Sequence, residues 1–230
     1  MSARYAIYYA PEDGGVLEAL GRSWLGRDAR TGKAVDRPEV PGIAPNRLHA
    51  ITEDPRRYGF HGTLKPPFAL AGGHDREGLV EAIERFAAGR AAFAIPALRL
   101  AELGSFLALV PGSPCAELDA LAADCVRAFD PYRAPPSEAE LLRRKASGLS
   151  PRQERYLAEW GYPYVFDEFR FHLTLTGRVP DAEERATVRA FLESVTAPVC
   201  REPVEVVSLC LFEQPDREAP FILTRRFVFG

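Results

Sequence analysis

Two histidine–threonine triplets, His61-Gly62-Thr63 and His172-Leu173-Thr174, stand 111 residues apart in the chain. Imidazole is the side chain whose ordinary pKa lies nearest neutrality, so two histidines can supply a neutral base and a protonated acid at one pH. A threonine hydroxyl two residues on can donate to an oxygen where negative charge gathers. These are the groups that phosphoester cleavage needs: a base for the attacking water, an acid for the leaving alkoxide, and donors for the non-bridging oxygens. One triplet alone would carry little weight, because threonine favours strands for steric reasons and a lone histidine is more often structural. Two of only four histidines in matching triplets point to chemistry. His49 and His74 lack such a pairing and read as loop residues.

Both triplets read as strands, residues 59–65 and 169–175, in which alternate side chains share a face. His61, Thr63 and Lys65 then lie on one face, with Phe60 and Leu64 behind. Arg170, His172 and Thr174 lie on one face, with Phe169, Phe171, Leu173 and Leu175 behind. A polar stripe of His, Thr and one cation suits a phosphate group, with Lys65 and Arg170 as candidate phosphate contacts. The bland alternative for both cations is a solvated strand face. The residues alone leave open which histidine is base and which is acid.

Composition narrows the other classes. The chain is 47% hydrophobic, enough for a substantial core without staples. Its net charge of −3 lacks the basic excess that grips long nucleic acid, so a small phosphorylated substrate is expected instead. Cys115, Cys125, Cys200 and Cys210 form no C-x-x-C pair and read as reduced thiols in apolar stretches. No carboxylate–histidine cluster suggests a metal, and no cofactor is expected. The sequence shows neither a signal peptide nor an 18-residue apolar run, which predicts a cytoplasmic protein with no membrane contact. Nothing in it sets the oligomeric state.

The elements that must position the triplets occur twice. Residues 5–9 form an apolar strand stopped by Pro11 and followed by a helix with Val16, Leu17, Leu20 and Trp24 at helical spacing. Residues 106–110 form a second such strand, stopped by Pro111 and followed by Leu118, Leu121 and Cys125. After each triplet comes an amphipathic helix, residues 76–88 and 182–195, with Asp75 and Asp181 where N-caps belong. Each half then returns to strand, 93–103 and 204–212, and 221–229 closes the chain. The spacing predicts a duplicated, pseudo-twofold α+β fold: two antiparallel sheets facing a central cleft, with helices outside. Residues 1–104 form the first lobe and 105–230 the second, together one bilobal domain.

Two insertions interrupt the repeat. Residues 27–57 are rich in Pro, Gly and Arg and read as an ordered loop. Residues 131–168 carry a capping box at Ser137 and Glu140, a second helix start at Ser150-Pro151, and several aromatics. Long insertions in a compact domain are usually functional. Arg133, Tyr162, Tyr164 and Arg57 (with its neighbour Arg56) are therefore candidate substrate contacts. Arg143, Arg144 and Lys145 read as a charged helix face.

The pattern resembles the 2H phosphoesterase superfamily, defined by two His-x-Ser/Thr motifs in a duplicated fold. Within it, the chain is most similar to the branch encoded beside phosphonate-utilisation genes. The stretches that carry the likeness are YGFHGTLKPPF, PYRAPPSEAELLRRKASGLSPRQ and WGYPYVFDEFRFHLTLTGRVP. The resemblance implies a bilobal α+β fold, metal-independent catalysis, and a catalytic set of His61, Thr63, His172 and Thr174. It implies hydrolysis of a small cyclic phosphodiester, such as a ribose cyclic phosphate, in phosphonate metabolism. Two rival readings are a 2′,3′-cyclic phosphodiesterase acting on RNA ends and a non-catalytic module that binds a nucleotide or phosphosugar.

Overall fold

In a computed structural model, which describes residues 3–146 and 148–230, the triplets lie at the junction of a seven-stranded antiparallel sheet. The strands in chain order are β1 (Arg4–Tyr9), β2 (Gly62–Phe68), β3 (Phe93–Ile95), β4 (Leu98–Leu103), β5 (Phe106–Pro111), β6 (Leu173–Thr174), β7 (Val204–Val206), β8 (Ser208–Gln214) and β9 (Ile222–Val228). Their spatial order is β4-β5-β6-β2-β1-β8-β9, with β3 and β7 paired apart as a two-stranded sheet. Both long returns expected as single strands are broken. Pro96, which has no N–H for the ladder, separates β3 from β4, and Val207 separates β7 from β8.

The four amphipathic helices of the repeat are α1 (Val16–Leu25), α4 (Arg76–Ala88), α5 (Ala116–Phe129) and α8 (Ala182–Thr196). Their apolar stripes meet Ile7, Leu64, Leu107, Leu109, Leu173, Leu209 and Leu211 in the main core. Each such side chain contributes roughly 1.5–3 kcal/mol when removed from water. Asp75 and Asp181 cap α4 and α8 as expected, accepting from the N–H groups of Gly78 (2.8 Å) and Glu184 (2.7 Å). Trp24 on α1 donates its indole N–H to the Leu175 carbonyl at 2.7 Å, pinning the first repeat to the second. The opposite face carries a smaller cluster of Ala6, Tyr8, Ala10, Cys210, Phe212 and Phe221.

The α+β class, the antiparallel pairing and the duplication are all present. The two sheets expected across a cleft are the flanks of one hydrogen-bonded sheet, joined at the pair Gly62↔Leu173. Gly62 permits this junction because the Phe171 ring fills its side-chain position; a Cβ there would lie 2.2 Å from that ring. The order reads symmetrically about the junction, with β2 matching β6, β1 matching β5 and β8 matching β4. Each repeat lends its closing strand to the other: β4 pairs with β5, and β8 with β1. The repeat and the spatial flank are thus different divisions of the chain.

The first insertion is not a plain loop. It contains α2 (Pro45–Ile51) and α3 (Glu53–Tyr58), too short to show a period and held by tertiary bonds. Arg37 donates to the Trp24 carbonyl (3.0 Å) and to Thr52 Oγ1 (2.6 Å), which itself donates to the Leu48 carbonyl (2.7 Å). The second insertion holds α6 (Glu138–Lys145), capped by Ser137, and α7 (Pro151–Trp160), with a complete capping box of Ser150 and Gln153.

Candidate active site

Each histidine stands one residue before its strand rather than within it, since β2 starts at Gly62 and β6 at Leu173. The local geometry repeats. His61 Nδ1 lies 2.8 Å from the Gly59 carbonyl oxygen, and His172 Nδ1 lies 2.8 Å from that of Arg170. A carbonyl only accepts, so each Nδ1 carries its proton and donates. Nε2 is thereby left to face the cleft, as lone pair in the neutral ring and as donor in the cation.

Extending the Gly62↔Leu173 register by one residue each way sets Thr63 opposite His172 and His61 opposite Thr174. The cavities agree with this crossing. Thr63 and His172 line a chamber of about 450 Å³, His61 and Thr174 line one of about 260 Å³, and Phe106 belongs to both walls. The two histidines are then diagonal neighbours across an antiparallel pair, a relation that sets residues about 7–8 Å apart, and their Cβ atoms somewhat closer.

The surroundings of the two rings differ. His61 stacks on Tyr8 (centroids 3.8 Å apart), with Tyr58 at 6.0 Å and Phe212 at 6.1 Å. The Thr63 hydroxyl lies 3.3 Å from His61 Nε2, positioned to donate to it. Burial among these rings pushes the His61 pKa down to about 4; the Gly59 carbonyl opposes the shift and the nearby His172 adds to it. The residue as a whole is half-buried. Among the described residues, the aromatic ring in contact with His172 is Phe106, at 5.8 Å.

Other expected contacts divide. Arg170, Tyr162 and Tyr164 line the larger chamber with Thr63 and His172, and the Arg170 guanidinium is exposed there. Lys65 does not reach the site. In the β1–β2 register Tyr8 faces Thr63 but Ile7 faces Lys65, so Leu64 is an extra residue and the strand bulges. The bulge turns Lys65 to the core side with Ile7. There it is 2% exposed, donates to the Val126 carbonyl (3.0 Å) and lies 3.4 Å from Asp130 Oδ1. Burial lowers its pKa to about 8 against the pull of Asp130.

Arg133 is likewise committed elsewhere. Its guanidinium donates to both Asp130 oxygens (2.8 and 3.2 Å) and to the Glu159 carbonyl (3.1 Å), outside both histidine chambers. Arg57 is exposed and donates to the Arg217 carbonyl oxygen, lining neither chamber. Conversely, Tyr8, Tyr58, Phe106 and Arg178 line the site or touch its rings without having been singled out in the sequence. Tyr8 alternates with Ala6 on β1 and with Ala10 just past its end, a signal that reads as ordinary strand. Arg178 lies just past the second triplet, at the wall that also holds His61 and Thr174. All four cysteines are free thiols. Among the described residues no group of three or more His, Cys, Asp or Glu gathers as a cation cage, and no helix is long and apolar enough to cross a membrane.

These features define a duplicated α+β protein with one His-x-Thr triplet from each repeat at its central strand junction. The chain belongs to the DUF1045 family, a family of unknown function whose model matches residues 63–222. It is 38% identical over 230 residues to a ribose 1,5-bisphosphate phosphokinase PhnN of Janthinobacterium sp. (strain Marseille), covering 99% of this chain and 51% of that protein. It is 37% identical over 226 residues to the protein of the same name from Laribacter hongkongensis (strain HLHK9), covering 96% and 51%. The chain thus spans about half the length of the curated relatives it matches. Among solved structures it is similar to E. coli LigT complexed with 3′-AMP, at 12% identity and a TM-score of 0.46, covering 100% of this chain and 99% of that one.

Proposed function

We propose that the chain hydrolyses a small cyclic phosphodiester, such as a ribose cyclic phosphate, by general acid–base catalysis through His61 and His172. The observation that carries this reading is the junction pair Gly62↔Leu173, whose register, extended by one residue each way, brings each histidine opposite the other triplet's threonine. His61, held neutral by its aromatic surroundings, takes the proton of the attacking water at Nε2. His172, with Nδ1 held by the Arg170 carbonyl, gives a proton from Nε2 to the departing alkoxide. The P–O bond to water forms as the ring P–O bond breaks, so a monoester and a free hydroxyl result. Thr63 and Thr174 donate to the non-bridging oxygens, and Arg170 adds positive charge beside His172. A bound phosphodiester anion opposes the lowered proton affinity of His61, bringing it nearer to a useful base.

The kinase name of the curated relatives describes proteins of twice this length. The Gly32-Lys33-Ala34 stretch here lacks both the leading glycine and the Ser/Thr of a phosphate-binding loop. Phosphorylated ribose as a substrate nonetheless agrees with that name, and with a setting in phosphonate metabolism.

The test is turnover of a panel of sugar and nucleoside cyclic phosphates in EDTA, with products assigned by phosphorus NMR. Conversion of a sugar cyclic phosphate to a monoester supports the reading. Preference for nucleoside 2′,3′-cyclic phosphates would favour the RNA-end alternative, and binding without turnover would favour a binding module.

A further inference from the structure

The cleft face of β1 carries Arg4, Ala6 and Tyr8 in alternation, paired regularly with Gln214, Phe212 and Cys210 on β8. Tyr8 ends at His61. Arg4, four residues or about 13 Å further along the strand, opens on a separate chamber of about 260 Å³ whose walls include Arg4, Arg133, Arg217, Glu140, Phe68 and Gly161. No residue of this wall belongs to the two chambers that hold the histidines.

Three arginines, Arg4, Arg133 and Arg217, line it. Arg4 is half-buried; it donates from Nε (2.7 Å) and Nη2 to the neutral Gln214 amide oxygen and lies over the Phe221 ring. Burial lowers its pKa; Tyr58 opposes this, and the like charge of Arg217 adds to it. Arg133 is 14% exposed and backed by Asp130, with its Nη1 against Gly161. The acidic side chain on the wall, Glu140, lies 3.7 Å from Arg217 and 3.4 Å from Arg144. Among the described residues, Lys65 and Arg133 share Asp130, Arg217 and Arg144 share Glu140, and Arg4 adds a fifth cation to these two carboxylates. Partly desolvated like charges that exceed their acids are costly unless an anion completes them.

We propose that this chamber is a second anion site, taking the phosphate dianion of a phosphate monoester apart from the histidine pair. Guanidinium forks match phosphate oxygens in geometry as well as charge. The site adjoins the histidine side through one turn of chain: Gly161 backs Arg133, while the next residue, Tyr162, lines the larger histidine chamber. The phosphate is either a second phosphate of the substrate, which rests on the hydrolytic reading above, or free phosphate.

Calorimetry with inorganic phosphate tests the site without any need for turnover. Wild type and His172→Ala are expected to share one phosphate site, weakened about tenfold or more in Arg217→Glu, as loss of a charged phosphate contact requires. Arg217 is exposed, so its replacement leaves the core intact, and equal melting temperatures check this. Equal binding by wild type and Arg217→Glu, or loss in His172→Ala alone, would overturn the proposal. Kinetics then separate the sources. A rise in KM confined to cyclic esters with a second phosphate identifies the substrate's own group. An Arg217-dependent effect of added phosphate on all substrates identifies the free anion. Absence of turnover on the panel would sink the hydrolytic reading and leave the binding result standing.

Discussion

The two triplets share a sequence, a hydrogen bond and a place at the sheet junction, yet their histidines live in different media. His61 lies against Tyr8, between Tyr58 and Phe212, and its pKa is driven down to about 4. His172 has Phe106 on one side and the exposed Arg170 beside it. Duplication therefore supplies the tautomer twice, through the same bond from Nδ1 to the carbonyl two residues back, while the aromatic packing around His61 alone sets that ring apart. A symmetric frame with asymmetric packing lets two like groups take different roles, His61 being the ring whose burial favours the neutral form.

The largest effect should come from removing either ring. His61→Ala and His172→Ala are each expected to lower kcat/KM on a cyclic diester about 10²–10⁴-fold, read by steady-state assay. Survival of near-wild-type turnover in one of them would mean that the triplets are not partners. Thr63→Val and Thr174→Val come next, with losses of roughly 10²-fold in kcat if each hydroxyl donates to the charged oxygens. A loss confined to Thr63→Val would assign that hydroxyl to His61 rather than to phosphate.

The medium around His61 predicts a pH dependence of stability. The folded ring resists protonation down to about 4, whereas in the unfolded chain it protonates near its ordinary value of about 6.5. Between those values the unfolded state binds more protons, so this contribution to stability falls as pH drops through that window. The wild-type melting temperature should decline more steeply between pH 6.5 and pH 4 than that of His61→Phe. Parallel curves would show that the ring is not held neutral.

The smallest effects distinguish what merely lies near the triplets. Lys65→Met should leave kcat/KM within about twofold of wild type and change stability by less than about 1.5 kcal/mol, as replacement of a buried paired charge by an apolar side chain allows. A hundredfold loss of activity would return Lys65 to the phosphate. Gly62→Ala, whose Cβ would meet the Phe171 ring at 2.2 Å, should cost about 1–3 kcal/mol in a denaturant melt.

Much of this frame was legible in the sequence, because its signals are local. Asp75, Asp181, Ser137 and Ser150 cap the helices whose starts they announce, and the paired triplets name the central residues. What was not legible is non-local. The bulge at Leu64 that turns Lys65 into the core appears only once β1 is paired with β2. Helices α2 and α3 are too short for a period and depend on Arg37 and Thr52. The exchange of β4 and β8 between repeats leaves no mark on either segment, and Tyr8 gains its role only when Thr63 is set opposite it.

The pH dependence of kcat/KM, in EDTA and on the best cyclic substrate, tests the asymmetric histidine pair most directly, because it reports the essential acid and base of the free enzyme. The account predicts a bell whose acid limb lies well below the ordinary histidine value, toward the value of about 4 set by His61, and which is absent from the residual activity of His61→Ala. A flat profile, or an acid limb near pH 6.5 that persists unchanged in His61→Ala, would contradict it.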